Sequence, residues 1–217
     1  MSKADQEYPL KYYPPLEEKI NIYSHAIGVL GGLVALVLLV LKSYNANHIH
    51  LFVSIVYGLS IITLFTASTL FHSSKQPKLR YRLNIFDHSA IFILIAGSYT
   101  PYSLITLKGT LGWSIFGIIW AVAIGGVILK LFYTGKFRIL STILYVAMGW
   151  MVVFAFKPLY NNLDFMGFIG LVTGGIAYTL GAVLYAIKKI PYNHAIFHIF
   201  VLIASVCHFL SIYFYVI

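Results

Sequence analysis

Three histidines in this chain lie within apolar stretches, where an ionisable side chain is costly and is usually kept for a function. His72 ends the segment Ser68-Thr-Leu-Phe-His72, and His194 and His198 lie four residues apart in a later segment. Three imidazoles are the protein ligands of one type of catalytic zinc site, which keeps a fourth, tetrahedral position for water. The pattern predicts a zinc (Zn²⁺) site if the fold brings the three side chains together; hydrogen bonding between helices is the alternative.

Two further polar residues accompany these histidines. Asp87 opens a third apolar stretch, and its carboxylate would accept a proton from water or orient that water beside a metal. Ser68 precedes His72 by four residues, so on a helix its hydroxyl lies one turn away on the same face. A serine in a membrane helix also commonly bonds its own i−4 carbonyl or packs as a small residue, so both interpretations of Ser68 stay open.

The elements that must position these residues are membrane-spanning helices. Of the 217 residues, 60% are hydrophobic and only 10% are charged, and most of the chain consists of apolar runs of about 20 residues. Continuous apolar runs lack the alternation of barrel strands. We therefore predict an all-α, seven-helix integral membrane bundle, with a tail at residues 1–19 and a transmembrane domain at residues 20–217. The single cysteine, Cys207, excludes an intrachain disulfide and a cysteine-based zinc site.

Apolar runs and the breaks between them predict the limits of the seven spans. A turn is predicted at Lys157-Pro158 and Asn161-Asn162, before the sixth span. The spans are predicted at about residues 20–41, 51–73, 84–107, 111–133, 139–156, 165–187 and 193–217.

Basic residues are distributed unevenly between the two ends of this bundle. Of the 15 lysines and arginines, only Lys42, Lys108 and Lys157 fall on the side opposite the N-terminal tail. Cytoplasmic loops carry an excess of basic residues, so we expect the N-terminus in the cytoplasm and the C-terminus outside. The net charge of +9 is then a topology signal beside anionic lipid and requires no nucleic-acid partner.

This topology places the candidate residues at one depth. His72 ends the second span, Asp87 opens the third, and His194 and His198 begin the seventh, all on the side expected to be cytoplasmic. The spacing of the last two puts both imidazoles on one helical face. His208 lies about 21 Å farther along the same helix, at about 1.5 Å per residue, and cannot share an ion with His194.

The roles of the remaining polar residues near the end of the bundle expected to be cytoplasmic are less clearly predicted from the sequence. His25 either supports a metal ligand or packs between helices. His88 should point about 100° away from its neighbour Asp87 and is not expected to be a ligand. Glu17 and Glu18 either bond to cytoplasmic loops or offset the local positive charge, and we favour the second interpretation.

With these motifs the chain resembles the progestin and adipoQ receptor superfamily. The glutamates and Ser24-His25 near the start are similar to its bacterial, hemolysin III-like branch, and the compact loops favour the same branch. The resemblance covers essentially the whole chain. It rests on Ser68-x-x-x-His72, on Leu83-Asn-Ile-Phe-Asp87-His-Ser89 with Gly97-Ser98-Tyr-Thr-Pro101, and on His194-x-x-x-His198 with His208-Phe209.

The resemblance implies a seven-helix bundle with a cytoplasmic N-terminus and a zinc ion held by His72, His194 and His198. It also implies that Asp87 is linked to the zinc through water, and Ser68 matches the serine of the superfamily motif. A relation to alkaline ceramidases implies hydrolysis of a lipid amide. The bacterial members are named for hemolysis, and roles in membrane-lipid or membrane-energy homeostasis are also attached to them.

Three functions follow. We favour a zinc hydrolase in the bacterial plasma membrane that acts on an amide or ester of a membrane lipid, with Asp87 and Ser68 as catalytic residues. The second function is a sensor or receptor-like homeostasis protein with structural zinc. The third is a pore-forming hemolysin, against which the seven spans and the strong bias of basic residues argue, because a secreted toxin needs neither.

Overall fold

A computed structural model describes residues 12–133 and 138–217, and these ranges are helical nearly throughout, with no strand. Within them, seven helical stretches are long and apolar enough to cross a membrane. The predicted all-α, seven-helix architecture is therefore confirmed, while the direction of the bundle across the membrane stays a prediction. Residues 1–11 of the predicted tail lie outside the described ranges.

In residues 12–133 and 138–217, eight α-helices build the seven spans. A π-helical segment, Tyr102–Leu107, extends α3, and a 3₁₀ turn, Met151–Ala155, joins α5 to α6. The helices are α1 Pro15–Ser43, α2 His48–Ser73, α3 Pro77–Pro101, α4 Gly109–Tyr133, α5 Arg138–Trp150, α6 Phe156–Asn162, α7 Phe165–Ala186 and α8 Asn193–Tyr215.

Two helices begin earlier than their apolar runs predict. α1 begins at Pro15 rather than near residue 20, and α3 begins at Pro77 rather than near residue 84. Proline suits the first helical position, because its missing N–H would have no partner there and its φ matches the helix. Asp87 therefore lies well inside α3 instead of opening it, and Arg80 belongs to the helix instead of the loop.

The fifth span is broken into two helical pieces. α6 occupies residues 157–162, where a turn is predicted, so that prediction is wrong. Pro158 lies in the first turn of α6, where its lack of an N–H removes no helical hydrogen bond. The chain turns one residue later, and the side chain of Asp164 then caps α7 by accepting from the Met166 amide at 2.8 Å.

Close helix packing brings the ends of three helices together. α1 packs along α2, α2 along α3 and α7 along α8, and α1 also contacts α8. Gly28 permits the α1–α2 approach, because a methyl group there would lie 2.5 Å from the ring of Phe65. Small residues let membrane helices approach closely, and packing contacts then stabilise the bundle. The start of α1, the end of α2 and the start of α8 consequently meet at one end of the bundle.

Candidate metal centre

His72, His194 and His198 form a compact cluster at this end. His72 lies in the last turn of α2, and the other two lie in the first turns of α8; all three are buried. Nε2 of His194 lies 3.2 Å from Nε2 of His72 and 3.1 Å from Nε2 of His198. In the part of the chain that the structure describes, no other group of histidine, cysteine and acidic side chains gathers in this way, with ligand atoms within 4.8 Å of one another.

The spacing of these nitrogens fits a metal ion. Zinc–nitrogen bonds of about 2.0–2.1 Å at tetrahedral angles separate two ligand nitrogens by about 3.3–3.4 Å, close to both observed distances. Glu18 Oε2 lies 2.6 Å from Nδ1 of His72. An ionised carboxylate only accepts hydrogen bonds, so Nδ1 carries the proton and Nε2 of His72 presents its lone pair to the cluster. The donor set suits zinc, whose identity in this chain stays a prediction.

The start of α8 sets the direction of two of the histidines. Tyr192, with a left-handed φ of 56°, turns the chain into the helix but provides no side-chain cap. Instead, Oε1 of Glu17, on α1, accepts a hydrogen bond from the amide of His194 at 3.2 Å. The four-residue spacing then places His198 one turn farther along the same face.

The third histidine is held by a pair of opposite charges. Glu18 bonds to Nδ1 of His72 with one carboxylate oxygen and to the guanidinium of Arg80 with the other. Arg80 is 2% exposed and also donates to the backbone carbonyls of Phe71, His72 and Ser74. The arginine thus donates to carbonyls at the end of α2, where intrahelical donors run out. It is a buried structural residue and not a solvated loop base.

Two aromatic rings lie flat against the cluster. Tyr13, just before α1, stacks on His194 with ring centroids 4.4 Å apart and an angle of 7° between the planes. His25 stacks on His198 at 3.7 Å and 16°, and it also meets the edge of Phe65. His25 is not part of the group of ligand atoms. Of its two predicted roles, the structure shows packing against a candidate ligand.

Ser68 and Asp87 lie outside the group of ligand atoms. Ser68 is 1% exposed, and its hydroxyl has no hydrogen-bond partner, so it does not bond the i−4 carbonyl. Asp87 is half-buried. Burial, followed by the neighbouring Tyr185 and Asp87, raises the pKa of the Tyr13 phenol, and the Tyr13 ring stacks on His194. The catalytic roles of Ser68 and Asp87 stay predictions.

Two other histidines of the membrane spans lie outside the cluster, as the sequence predicts. His88 donates from Nδ1 to the carbonyl of Asn84 at 2.8 Å. His208, deep in α8, donates from Nε2 to the carbonyl of Leu171 at 3.2 Å. Both rings are therefore engaged with backbone and do not face the three clustered nitrogens.

The contacts of Glu17, Glu18 and Arg80 differ from what the sequence predicts, which is a simple offset of charge by the two glutamates and a topology signal from the arginine. The sequence does contain a signal for these contacts, which is the free-energy cost of placing two adjacent carboxylates at the start of an apolar span. Such carboxylates need partners just as histidines do. The identity of those partners required the packing of α1 against α2 and α8.

The haemolysin-III related family matches residues 14–209. The chain is 46% identical to hemolysin-3 of Bacillus cereus over 203 residues, or 92% of each chain. It is 45% identical to the hemolysin-3 homolog of Bacillus subtilis, covering 92% of this chain and 94% of that protein. A human relative, monocyte to macrophage differentiation factor, is 31% identical over 92% of this chain and 84% of its own length.

Proposed function

This chain belongs to the haemolysin-III related family and is a multi-pass protein of the bacterial cell membrane, and on that premise we propose that it is a zinc-dependent hydrolase of lipid amide or ester bonds. The observation that carries the proposal is the convergence of three buried imidazole nitrogens. Three histidine ligands are typical of zinc sites that keep an open position for chemistry, whereas structural sites usually have four protein ligands.

The roles of the residues follow from their surroundings. A zinc ion bound by three histidines would act as a Lewis acid and would lower the pKa of water, which makes the water a stronger nucleophile near neutral pH. His72 holds its proton at Nδ1, toward Glu18, and leaves Nε2 to bind. We assign Asp87 to accept the proton that the water loses. The unpartnered hydroxyl of Ser68 is assigned to donate a hydrogen bond to the substrate oxygen on which charge develops.

The position of the cluster supports a lipid substrate. The three histidines lie at the end of the bundle where α1 begins, within one turn of a helix terminus on α2 and two turns on α8. An amide or ester of a lipid lies at a comparable depth, just below the head group, on the side expected to be cytoplasmic. Membrane lipids are accordingly the proposed partners.

Metal analysis tests the first part of this proposal. We expect one zinc per purified wild-type chain and loss of that zinc in the His194→Ala/His198→Ala variant. His48→Ala is a matched control, because His48 is an exposed histidine at the first residue of α2, at the opposite end of that helix from His72. Equal zinc content in the double variant would contradict the assignment of ligands.

Turnover tests the second part. Wild-type protein reconstituted with ceramide and phospholipid would be assayed by mass spectrometry, before and after zinc is stripped with a chelator and restored. We expect hydrolysis of one lipid class that disappears on stripping and returns with zinc. Turnover that survives complete loss of zinc would overturn the hydrolase proposal.

A sensor with structural zinc is the second candidate, and the ring of Tyr13 favours it. That ring lies flat on His194, so the cluster is covered from the N-terminal side. Under this alternative, zinc is bound in the same way but no lipid in the assay is hydrolysed. Asp87→Ala would then alter a membrane-homeostasis phenotype in cells without any change of lipid turnover in vitro.

A further inference from the structure

Two adjacent glutamates on α1 each contact a different helix that carries candidate metal ligands. Glu17 accepts from the amide of His194 at the start of α8, and Glu18 contacts Nδ1 of His72 at the end of α2. Consecutive residues on a helix point about 100° apart, so a neighbouring pair can contact two different helices at one level. Glu17 is 5% exposed and the Glu18 side chain 16%, although a carboxyl group is costly to bury without a partner.

We infer that Glu17 and Glu18 are positioning residues that preorganise the three histidines for metal binding, with Glu18 selecting the tautomer of His72. The inference rests on the proposed metal site and adds a role that simple compensation of charge does not explain. Compensation of the many basic residues would require neither burial nor contact with particular atoms.

Glu18 acts on the ligand itself. Its carboxylate lies 2.6 Å from Nδ1 of His72 and accepts the hydrogen bond that this nitrogen donates. A hydrogen bond to the outer nitrogen of a metal-binding histidine fixes the ring orientation and raises the basicity of the other nitrogen. With Nδ1 protonated, Nε2 is the atom left to bind, and it is the atom that faces His194.

Arg80 makes this contact rigid. Its guanidinium bonds to Glu18 while donating to three carbonyls at the end of α2, the helix that carries His72. A cation near a helix C-terminus is favourable, and the same cation offsets the cost of burying the carboxylate. Glu18 is thereby held relative to the backbone of His72 as well as to its ring.

Glu17 acts on the backbone. Tyr192 makes no side-chain cap, so a carboxylate from another helix accepts the hydrogen bond that a capping residue would normally accept. Negative charge at a helix N-terminus is also favourable. Because the amide belongs to His194, this contact sets the distance between α1 and the first turn of α8, where two of the three candidate ligands lie.

Four variants separate these roles. Glu18→Ala removes the charge and both hydrogen bonds, Glu18→Gln removes the charge and one of the two acceptor oxygens, and Glu17→Ala removes the cap of α8. Asp164→Asn is the matched control, because it removes one carboxylate charge at α7, away from the cluster, while asparagine still caps the helix. Folding of each variant is checked by helical circular dichroism and a single elution peak in detergent.

The readouts are zinc affinity, measured by competition with a chromophoric chelator, and the visible absorption spectrum with Co²⁺ as the probe metal. Loss of an outer hydrogen bond to a ligand histidine typically lowers metal affinity about 10–100-fold. We expect a decrease of that size and a changed Co²⁺ spectrum for Glu18→Ala. We expect smaller decreases for Glu18→Gln and Glu17→Ala, and wild-type behaviour for Asp164→Asn.

The outcomes distinguish the two proposals. Wild-type protein that binds neither zinc nor Co²⁺ would overturn the proposed function, and the inference with it. Wild-type protein that binds both metals, while folded Glu18→Gln and Glu17→Ala match its affinity and spectrum, would overturn the inference alone. A decrease in affinity equal to that of Asp164→Asn would assign the effect to charge and likewise overturn it.

Discussion

His25 of α1 and His198 of α8 stack with ring centroids 3.7 Å apart and planes 16° apart. One face of the candidate ligand is therefore fixed by a second imidazole that does not belong to the group of ligand atoms. The contact also ties α1 to α8 about two turns along α1 from Glu17. Several side chains of α1 thus hold the two helices that carry the three histidines.

Replacement of His25 tests this packing role. His25→Phe keeps an aromatic face against His198, so we expect wild-type zinc content. His25→Ala opens a cavity between His198 and Phe65 and should cost roughly 1–3 kcal/mol, the range of most destabilising point mutations. Thermal unfolding in detergent and zinc analysis measure the two effects. Complete loss of zinc from folded His25→Phe would instead make His25 a ligand.

Replacement of Tyr13 tests whether its ring limits access to the metal. Aromatic pairs contribute about 0.5–1.5 kcal/mol beyond burial, so Tyr13→Ala should release zinc to a chelator roughly two- to tenfold faster. Tyr13→Phe keeps the ring that stacks on His194 and should release zinc at the wild-type rate. Stopped-flow absorption with a chromophoric chelator gives both rates. Equal rates for the alanine and wild-type proteins would exclude the ring as a cover.

Replacement of Asp87 separates chemistry from metal binding. Asp87→Asn should keep the zinc, because Asp87 lies outside the group of ligand atoms, and should lower lipid hydrolysis by about 10²–10⁴-fold, the usual contribution of a general base. His88→Ala is the neighbouring control, since its ring bonds the backbone at Asn84. Wild-type turnover in Asp87→Asn would remove Asp87 from the mechanism.

Replacement of Ser68 tests whether its hydroxyl takes part in lipid hydrolysis. Its oxygen is buried without a partner, and removal of an unsatisfied buried polar group is neutral or stabilising. We therefore expect an unchanged or higher unfolding temperature for Ser68→Ala, with full zinc content and lower lipid turnover. A lower unfolding temperature with unchanged turnover would show that Ser68 serves packing and not chemistry.

Replacement of Gly28 tests whether α1 must lie close to α2 for metal binding. A methyl group at Gly28 would lie 2.5 Å from the ring of Phe65, so Gly28→Ala must displace that ring or the helix that carries it. We expect weaker zinc binding and a lower unfolding temperature. Gly31→Ala is the control on the same helix, because no atom lies within 4 Å of the added methyl group. Equal zinc affinity in the two variants would show that the site tolerates this shift.

Much of the fold and part of the site could be predicted from the sequence. Runs of about 20 apolar residues determine the number of spans, because only a helix satisfies its own backbone in a bilayer. Short connections between the spans then determine the depth of each residue, so His72 and the His194/His198 pair had to lie near the same end of the bundle. The predicted start of the third span near residue 84 and the predicted turn at Pro158 differ from the structure, because proline is tolerated in the first turn of a helix, and α3 begins at Pro77 and α6 includes Pro158.

Contacts between side chains of different helices were decided only by the tertiary structure. Glu18 and His72 are 54 residues apart, and Glu17 and His194 are 177 apart. Whether they touch depends on which helices are neighbours and how each is rotated about its axis, and packing at Gly28 and the other helix contacts sets both. The sequence by itself determined which polar residues share a depth in the membrane. Only helix packing decided that three of them converge and that two glutamates and an arginine hold them. The three side chains must face one another as well as lie at the same depth, and the rotation of each helix sets the direction in which its side chains point.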